Sequence, residues 1–215
     1  MTIDIKQADE LLTTTRSVRK RLDLDRPVER DVIEECIDIA LQAPTGSNAQ
    51  GWRWLVVTDQ ERKDKIAEYY RQAGAGYLRS GKEGLDALPE DRRGEMGKVI
   101  SSALYLAENL ERVPVFVIPC ILGRLDGGGG MSAGFWGSIF PAVWSFQLAL
   151  RARGLGTCLT TFHLAFESEV ASLLGIPDTV SQACLLPVGY TKGDDFKPAS
   201  RRPGSEITYW ESWKS

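Results

Sequence analysis

The sequence has few of the groups from which acid-base and metal sites are usually built. Its one histidine is His163, so a Ser-His-Asp or Cys-His arrangement would have to pass through that residue, and no Gly-x-Ser-x-Gly elbow exists to meet it. A histidine metal site lacks a second imidazole, so no metal is expected. His163 is therefore read as structural or peripheral. The cysteines Cys36, Cys120, Cys158 and Cys184 are far apart, sit in apolar contexts and form no Cys-x-x-Cys pair, which reads as buried thiols in a reducing compartment.

An excess of charge is also missing. The 26 Lys and Arg stand against 29 Asp and Glu, a formal charge of -3, so no global field favours nucleic acid or an anionic membrane. Any anion has to be bound locally. The opening MTIDIKQADELL has neither the basic segment nor the apolar run of a secretory signal, which predicts a cytoplasmic protein. The glycine run in RLDGGGGMSAG is not followed by the Gly-Lys-Ser/Thr of a phosphate loop and reads as a flexible connector. One uncharged run, residues 133–150, is long enough to span a bilayer. Gly137, Ser138, Pro141, Ser145 and Gln147 dilute it and no second span accompanies it, so it reads as a buried core or subunit-interface helix.

What remains is a 215-residue chain with 43% apolar and 26% charged residues, enough for one globular domain, 1–215. Helical spacing runs over residues 32–41 and Pro44 ends it. A buried strand follows at 54–57, and Thr58 to Glu61 has the spacing of a capping box for a helix to about residue 73. Residues 74–97, glycine-rich and poor in apolar groups, predict a variable, mobile excursion that could serve as a lid. A helix through Val99, Ala103, Leu106 and Leu110, a strand at 113–122 and one long apolar helix to about residue 153 come next. A strand at 154–161, a short helix at 167–175 and a strand at 179–190 complete about four strand patterns among alternating helices, an α/β or α+β class.

Three stretches hold polar groups that local folding does not require. TTRSVRKR, residues 14–21, brings Arg16, Ser17 and Arg19 together, and SRRP, residues 200–203, holds Arg201 and Arg202. If both converge, guanidiniums and a hydroxyl form a phosphate clamp, because the arginine fork matches phosphate oxygens. APTGSNAQGW, residues 43–52, is longer than a turn needs and holds Thr45, Ser47, Asn48 and Gln50.

In order and spacing these stretches, with SIFPAVWSFQLALRARGLGTCLTT and LLPVGY between them, resemble the FMN-dependent nitroreductase family over about residues 9–204. The resemblance implies an α+β fold with a central mixed sheet flanked by helices, assembled as an intertwined homodimer with FMN at the subunit interface. Arg16, Ser17 and Arg19 match the element that contacts the phosphate, ribityl chain and pyrimidine edge. Arg201 or Arg202 matches the C-terminal phosphate contact. Thr45, Ser47 and Asn48 would face the flavin of the other subunit, Gln50 and Trp52 would fix the loop's exit, and Thr160 and Thr161 lie where the family's chain passes the reactive nitrogen of the ring. Thr15 stands where many members have a first arginine, and Gly51 replaces their proline.

The activity so implied takes a hydride from NADH or NADPH and passes it to a nitroaromatic, quinone or similar flat acceptor, by a ping-pong mechanism. No protein acid or base is required, since the flavin carries the chemistry; Arg19 is placed to stabilise its reduced form. Tyr69, Tyr70 and Tyr77 are candidates for stacking on a small aromatic or quinone-like substrate, or else are ordinary core and surface aromatics. Reductive dehalogenation, flavin breakdown, and flavin binding or sequestration without turnover are the alternatives.

Overall fold

The computed structural model describes residues 3–87, 89–125 and 130–213. Its helices are α1 (Ile5–Thr14), α2 (Arg30–Ala40), α3 (Gln60–Glu83), α4 (Glu90–Asn109), α5 (Gly130–Gly137), α6 (Phe140–Ala152) and α7 (Glu167–Leu174). Its strands are β1 (Trp52–Val57), β2 (Val115–Leu122), β3 (Leu155–Thr157), β4 (Val180–Gln182) and β5 (Leu186–Tyr190). The strands form one sheet in the order β1-β2-β5-β3, with β4 also paired to β2. Every pairing between named strands is antiparallel, and the segment after α1 adds an isolated parallel bridge from Ser17 to Thr157. This is the expected helix-flanked α+β architecture.

The central strand β2 is buried over its first seven residues, because helices cover both faces of the sheet. One core packs Ile66, Tyr70 and Leu78 of α3, Leu106 of α4 and Leu110 just after it against Phe116, Ile118 and Cys120. The other packs Ile33, Cys36 and Ala40 of α2 and Val143, Phe146 and Leu150 of α6 against Val115, Val117 and Ile121. Among the described residues no helix is long and apolar enough to cross a membrane.

Five local readings are corrected. The helix expected to stop near residue 73 continues to Glu83, and after a 3-10 turn at Gly84–Ala87 the chain re-enters a helix at Glu90. The glycines there were read as breakers, yet each costs a helix only about 1 kcal/mol relative to alanine. Gly74 is needed as a glycine, since a Cβ on it would lie 2.7 Å from the Phe162 ring. The cap of α3 is Asp59, which accepts from the Arg62 amide at 3.0 Å, one residue beyond the Thr58 cap expected.

The apolar run forms two helices divided at Ser138 and Ile139. Pro141 lies in the first turn of α6, where its missing N–H costs nothing, whereas inside one long helix it would clash and break a bond. The expected last strand is also two. β4 and β5 both pair with β2, but their registers differ by one residue, Cys120 opposite Gln182 and Val117 opposite Leu186, so 183–185 carry a bulge. Pro119 lies opposite; its carbonyl accepts from the Ala183 amide at 2.8 Å, and a proline has no N–H to return. Finally, α1 forms where no element was assigned, capped by Asp4 accepting from the Gln7 amide. The connector read at RLDGGGG lies, at 126–129, outside the described residues.

Candidate functional site

The basic segment after α1 is extended because its alternate residues are anchored. The Val18 amide donates to the Thr157 carbonyl at 2.9 Å, and Val18 and Leu22 are buried. That leaves Arg16, Ser17 and Arg19 at the wall of a groove of about 1390 Å³. The close approach requires Gly156: a Cβ there would sit 2.7 Å from Thr191 Cγ2 and 2.9 Å from Val18 Cβ. A glycine inside a strand pattern is the signal that could have revealed it.

Arg201 lines the same groove, so the two arginine clusters, with Arg201 182 residues beyond Arg19 in sequence, do converge. Arg202 does not line it. Arg19 Nη1 donates to Ser102 Oγ on α4 at 3.3 Å, and Arg201 Nη1 donates only to the adjacent Ser200 carbonyl, at 2.8 Å. Among the described residues Arg16, Arg19 and Arg201 form no ion pair. A groove in which three of the four lining guanidiniums, Arg16, Arg19 and Arg201, have no described carboxylate holding them is suited to a phosphate. Trp144 and Gln147 of α6 line its far side, a contribution that the apolar run did not reveal.

Thr45, Ser47 and Asn48 do not line this groove. Their loop is held by its own side chains: the Gln50 amide donates to Thr45 Oγ1 at 3.2 Å, and Gln50 Nε2 to Asn48 Oδ1 at 2.9 Å. Ser47, Asn48 and Gln50 all have positive φ, of 53°, 52° and 47°, a conformation that costs non-glycine residues of order 1 kcal/mol each. What holds the strain is Ser138, at the break between α5 and α6. Its Oγ accepts from the Gly46 amide at 3.0 Å and donates to the Gly134 carbonyl at 2.7 Å, while its own carbonyl accepts from Trp52 Nε1 at 2.6 Å. Ser47 and Asn48 are left exposed.

Thr160 and Thr161 follow β3. Thr160 exchanges backbone bonds with Leu185 in the bulge, and its hydroxyl is 3.0 Å from the Tyr70 hydroxyl. Tyr70 is 2% exposed, and its ring lies 5.1 Å from that of Phe162, so it has no face for a substrate and instead orients Thr160. Burial pushes its phenol up to about 12. Tyr69 stacks on Phe166 at 5.1 Å, and Tyr77 is exposed with its ring edge-on to Phe162. His163 is fully buried, and neither ring nitrogen has a hydrogen-bond partner among the described residues; desolvation pulls it down to about 4, so it is neutral and structural. Burial pushes the Cys158 thiol up to about 11, with Arg19 opposing, so it is not a nucleophile. All four cysteines are free and buried.

A sheet covered by helices on both faces thus carries a basic groove beside β3 and a strained polar loop before β1. The nitroreductase family model matches residues 12–190, and the chain belongs to that family. A 4-nitrobenzoate reductase of Nocardioides sp. (strain LMS-CY) is 25% identical over 208 residues, 86% of this chain and 81% of the relative. Iodotyrosine deiodinase 1 of Mus musculus is 30% identical over 200 residues, which cover 90% of this chain and 65% of that relative. Among solved structures, the FMN and NADPH-dependent nitroreductase NfnB from sphigopyxis sp. strain HMH superposes with a TM-score of 0.68 at 23% identity, over 96% of this chain and 99% of that one. That likeness is one of fold.

Proposed function

We propose that the protein is an FMN-dependent oxidoreductase that passes electrons from NADPH or NADH to a nitroaromatic, quinone or similar flat acceptor. The convergence of Arg201 with Arg16, Ser17 and Arg19 in one groove of a nitroreductase-family chain is the observation that carries this reading. The donor set fits a phosphomonoester: three guanidiniums, each without an ion pair among the described residues, and one exposed hydroxyl. When bound, FMN supplies the two-electron exchange that no side chain of this protein offers.

Arg16 and Arg201 would hold the phosphate, and Ser17 would meet the ribityl chain. Arg19, steadied by Ser102, presents a fixed cation to the pyrimidine edge. Thr160, oriented by Tyr70, and Thr161 do not line the groove itself and would border the ring from the end of β3. The remaining ligands come from a second copy of the chain, whose half-buried Thr45 and exposed Ser47 and Asn48 lie on a loop outside the groove. Met131, Phe140, Trp144 and Leu159, all exposed, provide apolar surface for such a homodimer. Four free cysteines and a nicotinamide donor suit the cytoplasm.

The purified protein should carry about one FMN per chain and lose its yellow colour anaerobically with NADPH or NADH. A nitroaromatic or quinone should restore the colour, and initial rates should give parallel double-reciprocal lines. A protein that takes up no FMN ends this reading, while one that binds FMN but is reduced only by dithionite is a flavin store. The mouse relative favours one narrower chemistry, reductive dehalogenation. Iodide release from 3-iodo-L-tyrosine, faster than nitroaromatic reduction, would select it.

A further inference from the structure

We infer that the α4 side of the groove is a second oxyanion subsite, built on Lys98, Lys20 and the Ser101 hydroxyl, for a carboxylate or phosphate carried by the molecule that exchanges electrons with the cofactor. This rests on the proposed function, since it assigns the remainder of the same groove.

Charge motivates it. Six cations, Arg16, Arg19, Lys20, Arg93, Lys98 and Arg201, line the groove against one carboxylate, Glu95. The surplus there is five positive charges, in a chain whose acids outnumber its bases by three, 29 against 26. Leaving Arg93 out of the sum makes that surplus four, and a cofactor phosphate brings about -2 at most, so about two positive charges remain uncompensated. Arg93 is engaged elsewhere, one of its bonds being to the Asp86 carbonyl. Lys98 has no ion pair with any described residue, and Lys20 Nζ donates to Ser101 Oγ, an uncharged partner, at 2.7 Å.

Like charges gathered within a groove repel over a screening length of about 8 Å, and a second anion relieves that repulsion. Space for one exists. The groove holds about 1390 Å³, whereas single-ligand pockets usually hold about 300–1,000 Å³. The source of the oxyanion is either the extra phosphate of NADPH or an acid group on an aromatic acceptor, and both present the same chemistry to the lysines.

The test uses FMN-loaded protein and two matched pairs, NADPH against NADH and 4-nitrobenzoate against 4-nitrobenzamide. Lys98→Gln and Lys20→Gln should each raise KM for the more anionic member of one pair about fivefold, with its partner changed less than about twofold. The pair that responds identifies the source, and the discrimination should fade in high salt. Glu95→Gln should lower the same KM. As a readout independent of turnover, the dissociation constant of benzoate, titrated into the oxidised protein and followed by flavin absorbance, or of inorganic phosphate if the NADPH pair responds, should rise by the same factor while that of FMN stays unchanged. Equal shifts for both members of each pair, or none, overturn the subsite while leaving the reductase reading intact. Failure to bind FMN, or to be reduced by either nicotinamide, removes the reductase reading and the subsite with it.

Discussion

Removing the Arg201 guanidinium tests whether the groove binds phosphate. Arg201 is exposed, and the hydrogen bond it makes within the protein is to the neighbouring Ser200 carbonyl, so Arg201→Ala removes nothing that holds the fold. A hydrogen bond to a charged group contributes about 1.5–3 kcal/mol, so the FMN dissociation constant should rise about tenfold to a hundredfold. Solvent around an exposed arginine favours the lower end. Arg202→Ala is the matched control, because it deletes the same charge one residue away from a side chain that does not line the groove. Only the long-range part of the attraction should be lost, less than about threefold at physiological salt. Quenching of FMN fluorescence gives both constants, and the thermal midpoints of the two apoproteins should match wild type. Equal weakening by the two substitutions would refute the reasoning, since Arg201 would then act as one more surface charge.

His163 should make the protein acid-sensitive. Its folded value of about 4 lies below the unfolded 6.5, so the unfolded chain takes up the proton first and stability is lost as pH falls from about 6.5 toward 4, by roughly 2–3 kcal/mol at pH 4.5. In His163→Leu that part of the slope should vanish from urea unfolding midpoints compared at pH 7 and 4.5. Gly156→Ala should push the Val18 segment off β3, costing about 1–3 kcal/mol of stability and weakening FMN binding, whereas the same change at the open position Gly84 should leave both unaltered in denaturation and FMN titrations. Trp52→Phe removes the donor to the Ser138 carbonyl and should lower stability by about 1 kcal/mol; if the loop instead serves a partner's flavin only through its exposed side chains, FMN affinity will be unchanged.

Periodicity made α2, β2 and α7 legible, because each buries a whole face against a uniform apolar neighbour and its apolar residues repeat accordingly. Where neighbours are not uniform the pattern misled. Gly74 looks like a breaker but is a contact surface for Phe162, and Ser138 looks like dilution of an apolar helix but is the post on which the 43–52 loop is hung. The bulge at 183–185 left no mark on the apolar run of 179–190, since it arises from a proline on a different strand.

The sequence by itself determined the inventory: one histidine, no thiol pair, two arginine clusters, a polar loop longer than a turn needs and the family they compose. Residue types and short-range order settle those, because they depend on what chemistry the chain can offer. Which groups act together was decided only by tertiary structure. Arg201 rather than Arg202 enters the groove, Tyr70 turns inward to Thr160, and α4 brings Lys98 to face the arginines of the N-terminal segment. The physical reason is distance: charge, hydrogen bonds and sterics act within a few ångströms, and residues 182 positions apart come that close only after the two cores have packed the helices onto the sheet.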